Sequence, residues 1–229
     1  MRFKAKLIEA RFKRRLNRFA ALVEIKGIET LVHIANSGRM NEIFVPGYRV
    51  YLQPASGSHR KTAFDLALVE LGPLLCSIDS QLPPLLFQEA YHRGLLPEFS
   101  DFDRLQREQT FEDSRIDILV SGRSGLCYIE TKSVTLVRNG VGLFPDAPTD
   151  RGRKHLRALC NAIKIGYSAS VIFIIQRPDC NAFSPNDTAD PKFGQALRDS
   201  LTSGVTAHAY NCHVNLDGVQ LDTEIPILL

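Results

Sequence analysis

The sequence predicts two units, a small β-barrel followed by a mixed β-sheet that is flanked by helices. Short apolar segments with the alternation of strands follow one another from residue 3 to residue 70, and turn signals separate them. After residue 84, helix-like segments alternate with strand-like segments, a pattern typical of an α/β sheet. Residues 72–84 contain three prolines and interrupt both patterns, so we place the domain boundary near residue 78.

The first unit, residues 1–78, is predicted to contain five strands. Their expected ranges are 3–12, 19–25, 29–34, 48–53 and 62–70. Turn signals at Lys26-Gly27, Asn36-Ser37-Gly38 and Pro46-Gly47 separate several of them. Five short strands in a domain of this size favour a barrel of the oligonucleotide-binding (OB) type, with an SH3-like barrel as the alternative.

The second unit, residues 79–229, is predicted to mix helices and strands. The expected helices are 85–95, 153–165 and 192–203, and the expected strands are 104–111, 115–120, 126–134, 170–176 and 205–214, with 219–227 as a terminal extension. In the middle helix, Leu156, Leu159, Cys160 and Ile163 recur at helical spacing and give it one apolar face. A three-stranded meander followed by helical crossovers predicts a mixed sheet with helices against it.

Composition limits the kinds of protein that this chain represents. Apolar residues make up 44% of the 229 residues, which is enough for a buried core. No apolar run approaches the ~20 residues that cross a bilayer, and the N-terminal segment lacks the apolar stretch of a secretory signal. The five cysteines are scattered without a CxxC pair, which disfavours a structural zinc site and a disulfide framework. We therefore expect a cytoplasmic protein without a membrane partner.

Charge is divided unevenly between the two units. Residues 1–78 hold 13 Lys or Arg against 6 Asp or Glu, a net charge of +7. Residues 79–229 hold 15 against 19, a net charge of −4. This division suggests that the first unit binds a polyanion and that the second carries a metal site, although small domains also carry excess charge without any such role.

Two neighbouring strand-like segments carry two carboxylates and a lysine. Asp117 lies in the first segment, and Glu130 and Lys132 lie in the second, where they alternate with Ile129 and Thr131 and therefore share a face. The short turn between the segments favours a hairpin, which would bring the three charged groups to one site. Carboxylate oxygens suit a hard divalent cation such as Mg²⁺ or Mn²⁺, which activates water and stabilises charge on a phosphodiester.

The order of elements around this triplet resembles the PD-(D/E)XK nuclease core: a helix with Glu89, a strand with Asp117, a strand with Glu130 and Lys132, then a basic helix. In such a core Asp117 and Glu130 would bind the metal, and the backbone carbonyl of Thr131 would be a third ligand. Lys132 would orient or activate the attacking water, and Glu89 would assist. The alternative is a cluster of surface salt bridges at the edge of a sheet.

A basic cluster at the first turn of the predicted barrel is a candidate contact for a nucleic-acid backbone. Five cationic side chains lie between or beside Phe12 and Phe19: Arg11, Lys13, Arg14, Arg15 and Arg18. Aromatic residues interleaved with basic ones also suit base stacking, but we expect both phenylalanines in the barrel core. The alternative for the charges is a solvated hairpin tip.

Two further segments offer anion sites. Arg151, Lys154 and Arg157 lie at the start of the middle helix, which Thr149 or Asp150 would cap, and donors at a helix start suit a phosphate. The turn at residues 36–38 has amides that suit an anion. An ordinary solvated helix start and a plain connection are the alternatives. His155 is left without an assigned role.

Together these segments resemble the sugar fermentation stimulation protein A (SfsA) family. The matching strings are HIANSGRM at 33–40, SRID at 114–117, YIETKSVTL at 128–136, FPDA at 144–147, RGRKHL at 151–156 and FSP at 183–185. The family usually has valine before the lysine, where this chain has Thr131. The resemblance implies an OB-like domain followed by a PD-(D/E)XK restriction-endonuclease-like domain, DNA as the partner with RNA left open, and a regulatory role in sugar metabolism.

Two functions remain open on this basis. The first is a nuclease dependent on Mg²⁺ or Mn²⁺, with Asp117, Glu130, Lys132 and Glu89 at its active site. The second is a DNA-binding or regulatory protein whose nuclease-like fold holds the nucleic acid without cutting it. A homodimer is plausible for this class of nuclease. A role in sugar metabolism apart from nucleic acid has no supporting motif in the sequence.

Overall fold

In the computed structural model, which describes residues 1–55 and 60–229, the first unit is a barrel. Its strands are β1 (Ile8–Asn17), β2 (Ala20–Ile25), β3 (Ile28–His33), β4 (Arg49–Pro54), β5 (Phe64–Leu71) and β6 (Leu74–Ser77). They pair in the order β3-β2-β1-β4-β5-β6, and a bridge between His33 and Asp65 joins β3 to β5. Five strands therefore close into the OB-type barrel that the sequence predicts, and β6 continues the sheet beyond β5.

The barrel core is built from side chains that alternate inward along these strands. Phe12, Val23, Val32 and Leu52 are fully or almost fully buried. Phe12 thus lies in the core as predicted, but Phe19 is 54% exposed, so the same prediction was wrong for Phe19. The reason is that β1 continues to Asn17, and Phe19 falls in the tight turn before β2 instead of on an inward position of a strand.

Several boundaries in the first unit differ from the predicted ones, and two of the differences have a clear cause. The strand β1 begins at Ile8, because the chain before it pairs with the second unit: Phe3 N–H donates to the Asp217 carbonyl at 2.9 Å, and Val219 N–H donates to the Met1 carbonyl at 2.9 Å. The strand β6 lies inside the predicted interruption. Pro73 does not prevent it, because this proline occupies the turn before β6, where no backbone N–H is needed.

The second unit is a mixed sheet with helices on both faces. Its helices are α1 (Pro83–His92), α2 (Asp150–Lys164) and α3 (Pro191–Thr202). Its strands are β7 (Phe102–Phe111), β8 (Ser114–Gly122), β9 (Gly125–Val134), β10 (Val137–Arg138), β11 (Val141–Phe144), β12 (Ser168–Ile175), β13 (Ala182–Pro185), β14 (Thr206–Asn215) and β15 (Gly218–Glu224). None of the helices in the described ranges is long and apolar enough to cross a membrane.

The large sheet has the order β15-β14-β12-β9-β8-β7, in which β9, β12 and β14 run parallel and the outer strands antiparallel. The mixed sheet was therefore predicted correctly. A separate small sheet, β10-β11-β13, was not foreseen, because strands of two to four residues are too short to show a periodic pattern.

Each face of the large sheet has its own core. Ile118 and Ile129 pack with Phe87 of α1 on one face. Phe173 packs with Leu156 of α2 and neighbouring residues of α3 on the other face. The strand β9 lies between β8 and β12 and is therefore central, so polar side chains on its α2 face are enclosed by protein.

A buried glutamine fastens the barrel to the sheet. Gln176 follows β12 and is completely buried, and its Nε2 donates to the Asp79 carbonyl at 2.9 Å and to Ser133 Oγ at 2.7 Å. Its Oε1 accepts a hydrogen bond of 2.7 Å from Ser77 Oγ at the end of β6. These bonds satisfy every polar atom of the amide, which fixes the end of β6 against the ends of β9 and β12.

Candidate active site

The predicted hairpin of β8 and β9 is present and holds Asp117 beside Thr131. The backbone pairing ends at Ile118 and Ile129, immediately before Asp117. Beyond that pair, the Asp117 side chain links β8 to β9. Its Oδ2 accepts hydrogen bonds from Thr131 N at 2.9 Å and from Thr131 Oγ1 at 2.6 Å. The remaining oxygen, Oδ1, has no hydrogen-bond donor among the described residues.

Glu130 and Lys132 lie on the α2 face of β9, as the alternation predicts. Lys132 Nζ donates to Glu130 Oε1 at 2.6 Å, and His155 Nδ1 on α2 donates to the same oxygen. Glu130 is only 3% exposed and Lys132 only 8%. The other carboxylate oxygen, Glu130 Oε2, is buried without any hydrogen-bond partner among the described residues. A buried carboxylate oxygen without a partner costs free energy, which makes Glu130 Oε2 a candidate atom for binding a ligand.

The two carboxylates differ in their electrostatic surroundings. Burial, with the nearby charge of Glu130 as the second cause, raises the pKa of Asp117. Burial alone would also raise the pKa of Glu130, but the charge of Lys132 and the hydrogen bond from His155 outweigh it and lower that pKa. A cation near both carboxylates would relieve the repulsion that raises the pKa of Asp117.

These residues fit a hard divalent cation. No group of three His, Cys, Asp or Glu side chains within 1–55 and 60–229 forms a complete metal site. The two carboxylate oxygens without partners among the described residues, Glu130 Oε2 and Asp117 Oδ1, would be the protein's ligands to a cation, with water and substrate oxygens completing its coordination, which is how Mg²⁺ usually binds. The carbonyl of Thr131 as a third ligand stays a prediction.

Part of the site borders a cleft of about 890 Å³ between the two units, although Asp117 and Glu130 themselves do not line it. Thr131 and Lys132 line it from the sheet. Residues 15–18 and 36–41 line it from the barrel, and residues 143–149 line it from the second unit. The topology therefore places the lysine at the point where the two units meet.

A carboxylate of the chain itself occupies the anion site that was predicted at the 36–38 turn. Asp146 Oδ2 accepts hydrogen bonds from Arg39 N at 2.7 Å and from Met40 N at 3.2 Å. Gly38 permits this approach, because a Cβ there would lie 3.0 Å from Asp146 Oδ2 and 3.0 Å from Asn36 Oδ1. The amides of the turn thus bind the second unit and hold the two walls of the cleft together.

The sequence suggested Arg15 as a phosphate contact, but in the structure its side chain binds backbone carbonyls. Its guanidinium donates to five backbone carbonyls of the cleft wall, those of Asn17, Arg18, Asn36, Gly38 and Arg39. Burial lowers its pKa, against the opposing charge of Asp146. Because its donors are used, Arg15 supports the wall of the cleft and has none left for a phosphate.

The other cations of the barrel cluster remain near the surface. Lys13 forms an ion pair of 2.5 Å with Glu24, and Arg11 donates to the Gly47 carbonyl at 3.2 Å. Arg14 and Arg18 are exposed, and within the described ranges their side chains have no hydrogen bond or ion pair. These two arginines are therefore the members of the cluster that are best placed to contact a ligand.

The start of α2 differs from the predicted phosphate site. Thr149 caps the helix, since its Oγ1 accepts from Gly152 N at 3.0 Å, and Asp190 accepts from Thr149 N at 2.8 Å and from Arg153 at 2.5 Å. The Gly152 amide is therefore used by the cap, and Asp190 takes up the Thr149 amide and the Arg153 guanidinium. Lys154 is also used, because it donates to the Asp113 carbonyl at 2.7 Å. The remaining predicted contacts, Arg151 and Arg157, are exposed.

The structure does not bring Glu89 to the carboxylate pair. Glu89 forms an ion pair with the amino group of Met1, and none of its hydrogen bonds in the described part of the chain involves Asp117, Glu130 or Lys132. The reason is the placement of the N-terminal segment, which pairs with β15 next to α1. Assistance from Glu89 in catalysis stays a prediction without a contact to support it.

Sequence reasoning missed His155 as a partner of the site. The signal was present: His155 lies on the buried side of α2 with Gly152, Leu156 and Leu159, so its ring had to face the sheet. A polar side chain in an otherwise apolar helical face needs a hydrogen-bond partner, and Glu130 provides it.

Comparison with known proteins identifies the family of this chain. The family model described as "Sugar fermentation stimulation protein RE domain" matches residues 81–218, and that described as "SfsA N-terminal OB domain" matches residues 14–78. A sugar fermentation stimulation protein homolog of Caldanaerobacter subterraneus subsp. tengcongensis is 44% identical over 229 residues and covers 100% of both chains. A homolog of Thermoanaerobacter sp. strain X514 is 45% identical over 224 residues and covers 97% of each chain. The structure of Pyrococcus furiosus SfsA in complex with Ca²⁺ matches with a TM-score of 0.93 and 32% identity, over 100% of this chain and 98% of that one. The chain therefore belongs to the SfsA family.

Proposed function

We propose that this protein is a nuclease that depends on a divalent metal, holds nucleic acid with its barrel and hydrolyses a phosphodiester at Asp117, Glu130 and Lys132. The observation that carries the proposal is the buried Glu130, whose Oε2 has no partner among the described residues. Lys132 beside it lines the cleft between the two units. A surface that only binds a polyanion gains nothing from two neighbouring carboxylates, one of them buried, because burial of the charge and repulsion of phosphate are both unfavourable.

The proposed cofactor is Mg²⁺ or Mn²⁺, held by Asp117 and Glu130 with the carbonyl of Thr131 as a third ligand. Support comes from the related Pyrococcus furiosus structure, which is described as a complex with Ca²⁺, a cation that likewise prefers oxygen ligands. When bound, the cation would lower the pKa of a water molecule and stabilise the charge on the phosphodiester.

Lys132 is proposed to hold the attacking water or the phosphate. Its ammonium has three donors, of which one bond of 2.6 Å goes to Glu130 Oε1. The lysine also lines the cleft, which would bring a phosphate bound there close to the side chain. His155 shares the same carboxylate oxygen and keeps Glu130 oriented, which leaves Oε2 for a ligand.

DNA is the proposed substrate, with RNA as the alternative. A second candidate function is a DNA-binding regulator that retains the fold of a nuclease without cleavage. The charge of +7 on residues 1–78 and the exposed side chains of Arg14 and Arg18 favour it. For such a protein the affinity would be mostly electrostatic and would fall steeply as the salt concentration rises.

One experiment separates the two functions. Purified wild-type, Lys132→Ala and Lys192→Ala proteins are incubated with labelled single-stranded, double-stranded and branched DNA and RNA in EDTA, Mg²⁺ or Mn²⁺. Both retention and cleavage are scored. Lys192 is a matched control, because it is an exposed lysine at the start of α3.

A nuclease requires cleavage that depends on the metal, is lost in Lys132→Ala and is kept in Lys192→Ala. Retention in EDTA should stay within about twofold of wild type for both variants. Cleavage that survives Lys132→Ala would reject the proposed site. Retention without cleavage by the wild type in every metal would establish the second candidate.

A further inference from the structure

An aromatic side chain stands exposed at the edge of the cleft. Phe19 is 54% exposed in the turn between β1 and β2, and the residues before it, Leu16, Asn17 and Arg18, line the cleft. Its backbone is fixed, since Phe19 N–H donates to Asn17 Oδ1 at 2.9 Å and its carbonyl accepts from Ile34 N at 2.9 Å. An exposed ring on an ordered turn is a surface on which a planar group can stack.

Cationic side chains accompany this ring. Arg18 and Arg39 both line the cleft and both are exposed, and neither side chain forms an ion pair or hydrogen bond within the described residues. Arg15 holds the carbonyl of Arg18 at 2.7 Å and that of Arg39 at 2.9 Å, so the backbone of both is positioned by one guanidinium. The combination of an apolar ring and unpaired cations complements a polymer with planar bases and a negative backbone.

We propose that this edge of the cleft binds an unpaired segment of nucleic acid, with one base stacked on Phe19 and the adjacent phosphates at Arg18 and Arg39. The strand then continues along the cleft toward Lys132. The face of a base is accessible to a phenylalanine only when the base is not stacked inside a duplex. This inference specifies the substrate class of the proposed nuclease. Binding at Phe19 does not depend on that function, but the continuation of the strand to Lys132 rests on it.

The depth at which Lys132 lies in the cleft favours a single strand for a second reason. Asp146 joins the wall of the second unit to Arg39 and Met40 of the barrel, so the two walls are tied across the cleft. Lys132 is only 8% exposed within it. A duplex is stiff over about 150 base pairs and keeps its backbone on the outside of a wide rod, whereas a single strand is thin and flexible enough to reach a side chain that is almost buried.

Binding in EDTA tests the inference without any cleavage. Fluorescence anisotropy would measure the affinity of the full-length protein for a labelled oligothymidine of 20 nucleotides, on the order of the site sizes of OB folds, and for a duplex of equal length. Phe19→Ala should weaken binding of the single strand on the order of tenfold, because it removes the stacking of one base. Binding of the duplex should change by less than about twofold.

Matched variants exclude a general effect on the fold. Ile28→Ala removes another apolar side chain, 69% exposed, from the other end of the barrel hairpins and should leave both affinities unchanged. Phe19→Tyr keeps the ring and should keep the affinity for the single strand. Far-UV circular dichroism would verify that each variant is folded.

A fluorescent base reports the stacking itself. A single strand that contains one 2-aminopurine should be quenched when it binds wild-type protein and should lose this quenching with Phe19→Ala. The inference is overturned if Phe19→Ala binds the single strand within about twofold of wild type, if it loses single strand and duplex equally, or if the wild type does not bind the single strand.

The results separate this inference from the proposed function. Binding of single strands through Phe19, without cleavage in Mg²⁺ or Mn²⁺, would support the inference and reject the nuclease. Metal-dependent cleavage of a duplex that is unchanged in Phe19→Ala would support the nuclease and reject the inference.

Discussion

The carboxylate of Asp146 accepts a hydrogen bond of 2.7 Å from the backbone N–H of Arg39, which joins the second unit to the barrel across the cleft. The same oxygen accepts from Met40 at 3.2 Å. Hydrogen bonds between a carboxylate and backbone amides are among the stronger ones in proteins. The pair therefore limits how far the cleft opens.

Replacing Asp146 with alanine should loosen the barrel wall. The amides of Arg39 and Met40 lose their acceptor, which costs about 1.5–3 kcal/mol of local stability for hydrogen bonds to a charged group. Hydrogen–deuterium exchange of residues 36–41 should become faster by at least about tenfold. The control is Asp187→Ala, which removes a carboxylate that pairs with Arg198 on the surface of α3. Unchanged exchange in the 36–41 loop would show that Asp146 does not hold the wall.

Substitution of Arg15 should lower the stability of the protein far more than substitution of its neighbour Arg14. Arg15→Lys keeps the charge but loses the planar group that reaches five carbonyls, so unfolding free energy should fall by about 2 kcal/mol. Arg14 is exposed, and Arg14→Ala should change stability by less than about 0.5 kcal/mol. Urea unfolding would measure both. If Arg15→Lys unfolded like wild type and only lost affinity for DNA, the original prediction of a phosphate contact would be right.

Divalent cations should stabilise the fold through Asp117 and Glu130. A ligand at 100 times its dissociation constant adds about 2.7 kcal/mol to the free energy of unfolding, so Mn²⁺, Mg²⁺ or Ca²⁺ should raise the melting temperature. Asp117→Asn and Glu130→Gln should each remove most of this increase, because they remove a charged oxygen ligand. Thermal unfolding with and without the cation measures it, with Asp103→Asn, an exposed residue, as the control. An equal increase in all variants would place the cation elsewhere.

The part of this site that the sequence predicts is the part that depends on local geometry. Asp117, Glu130 and Lys132 lie on one hairpin, where strand alternation and a short turn determine which side chains meet. Asp146 and Arg39 are 107 positions apart, and their contact depends on how the two units pack against each other. No periodic pattern contains that information.

The same distinction explains the other differences. The predicted second strand began at residue 19, one position before the observed start at Ala20, and this single position moves Phe19 from the barrel core to an exposed turn. In the sequence alone, Arg15 cannot be distinguished from the other cations of the basic cluster. Its use as a donor to five carbonyls becomes visible only when the 36–39 loop is placed beside it.

His155 is expected to act as a positioning residue for Glu130. It donates to Glu130 Oε1 together with Lys132, and loss of such an outer partner typically costs about 10–100-fold in metal affinity or activity. His155→Ala should lower kcat by this factor and raise the Mn²⁺ concentration needed for half-maximal cleavage, with KM for the nucleic acid unchanged. His155→Gln retains a donor and should recover part of the loss.

The measurement is a kinetic titration with Mn²⁺ at several nucleic-acid concentrations, and His92→Ala serves as the control because His92 is exposed at the end of α1. A residue that only supports the fold would lower the fraction of active enzyme, which reduces kcat without changing the requirement for Mn²⁺. The shift in the Mn²⁺ requirement, and its partial reversal by glutamine, is therefore the result that identifies positioning. Wild-type kinetics in His155→Ala would show that Lys132 alone is sufficient to orient Glu130.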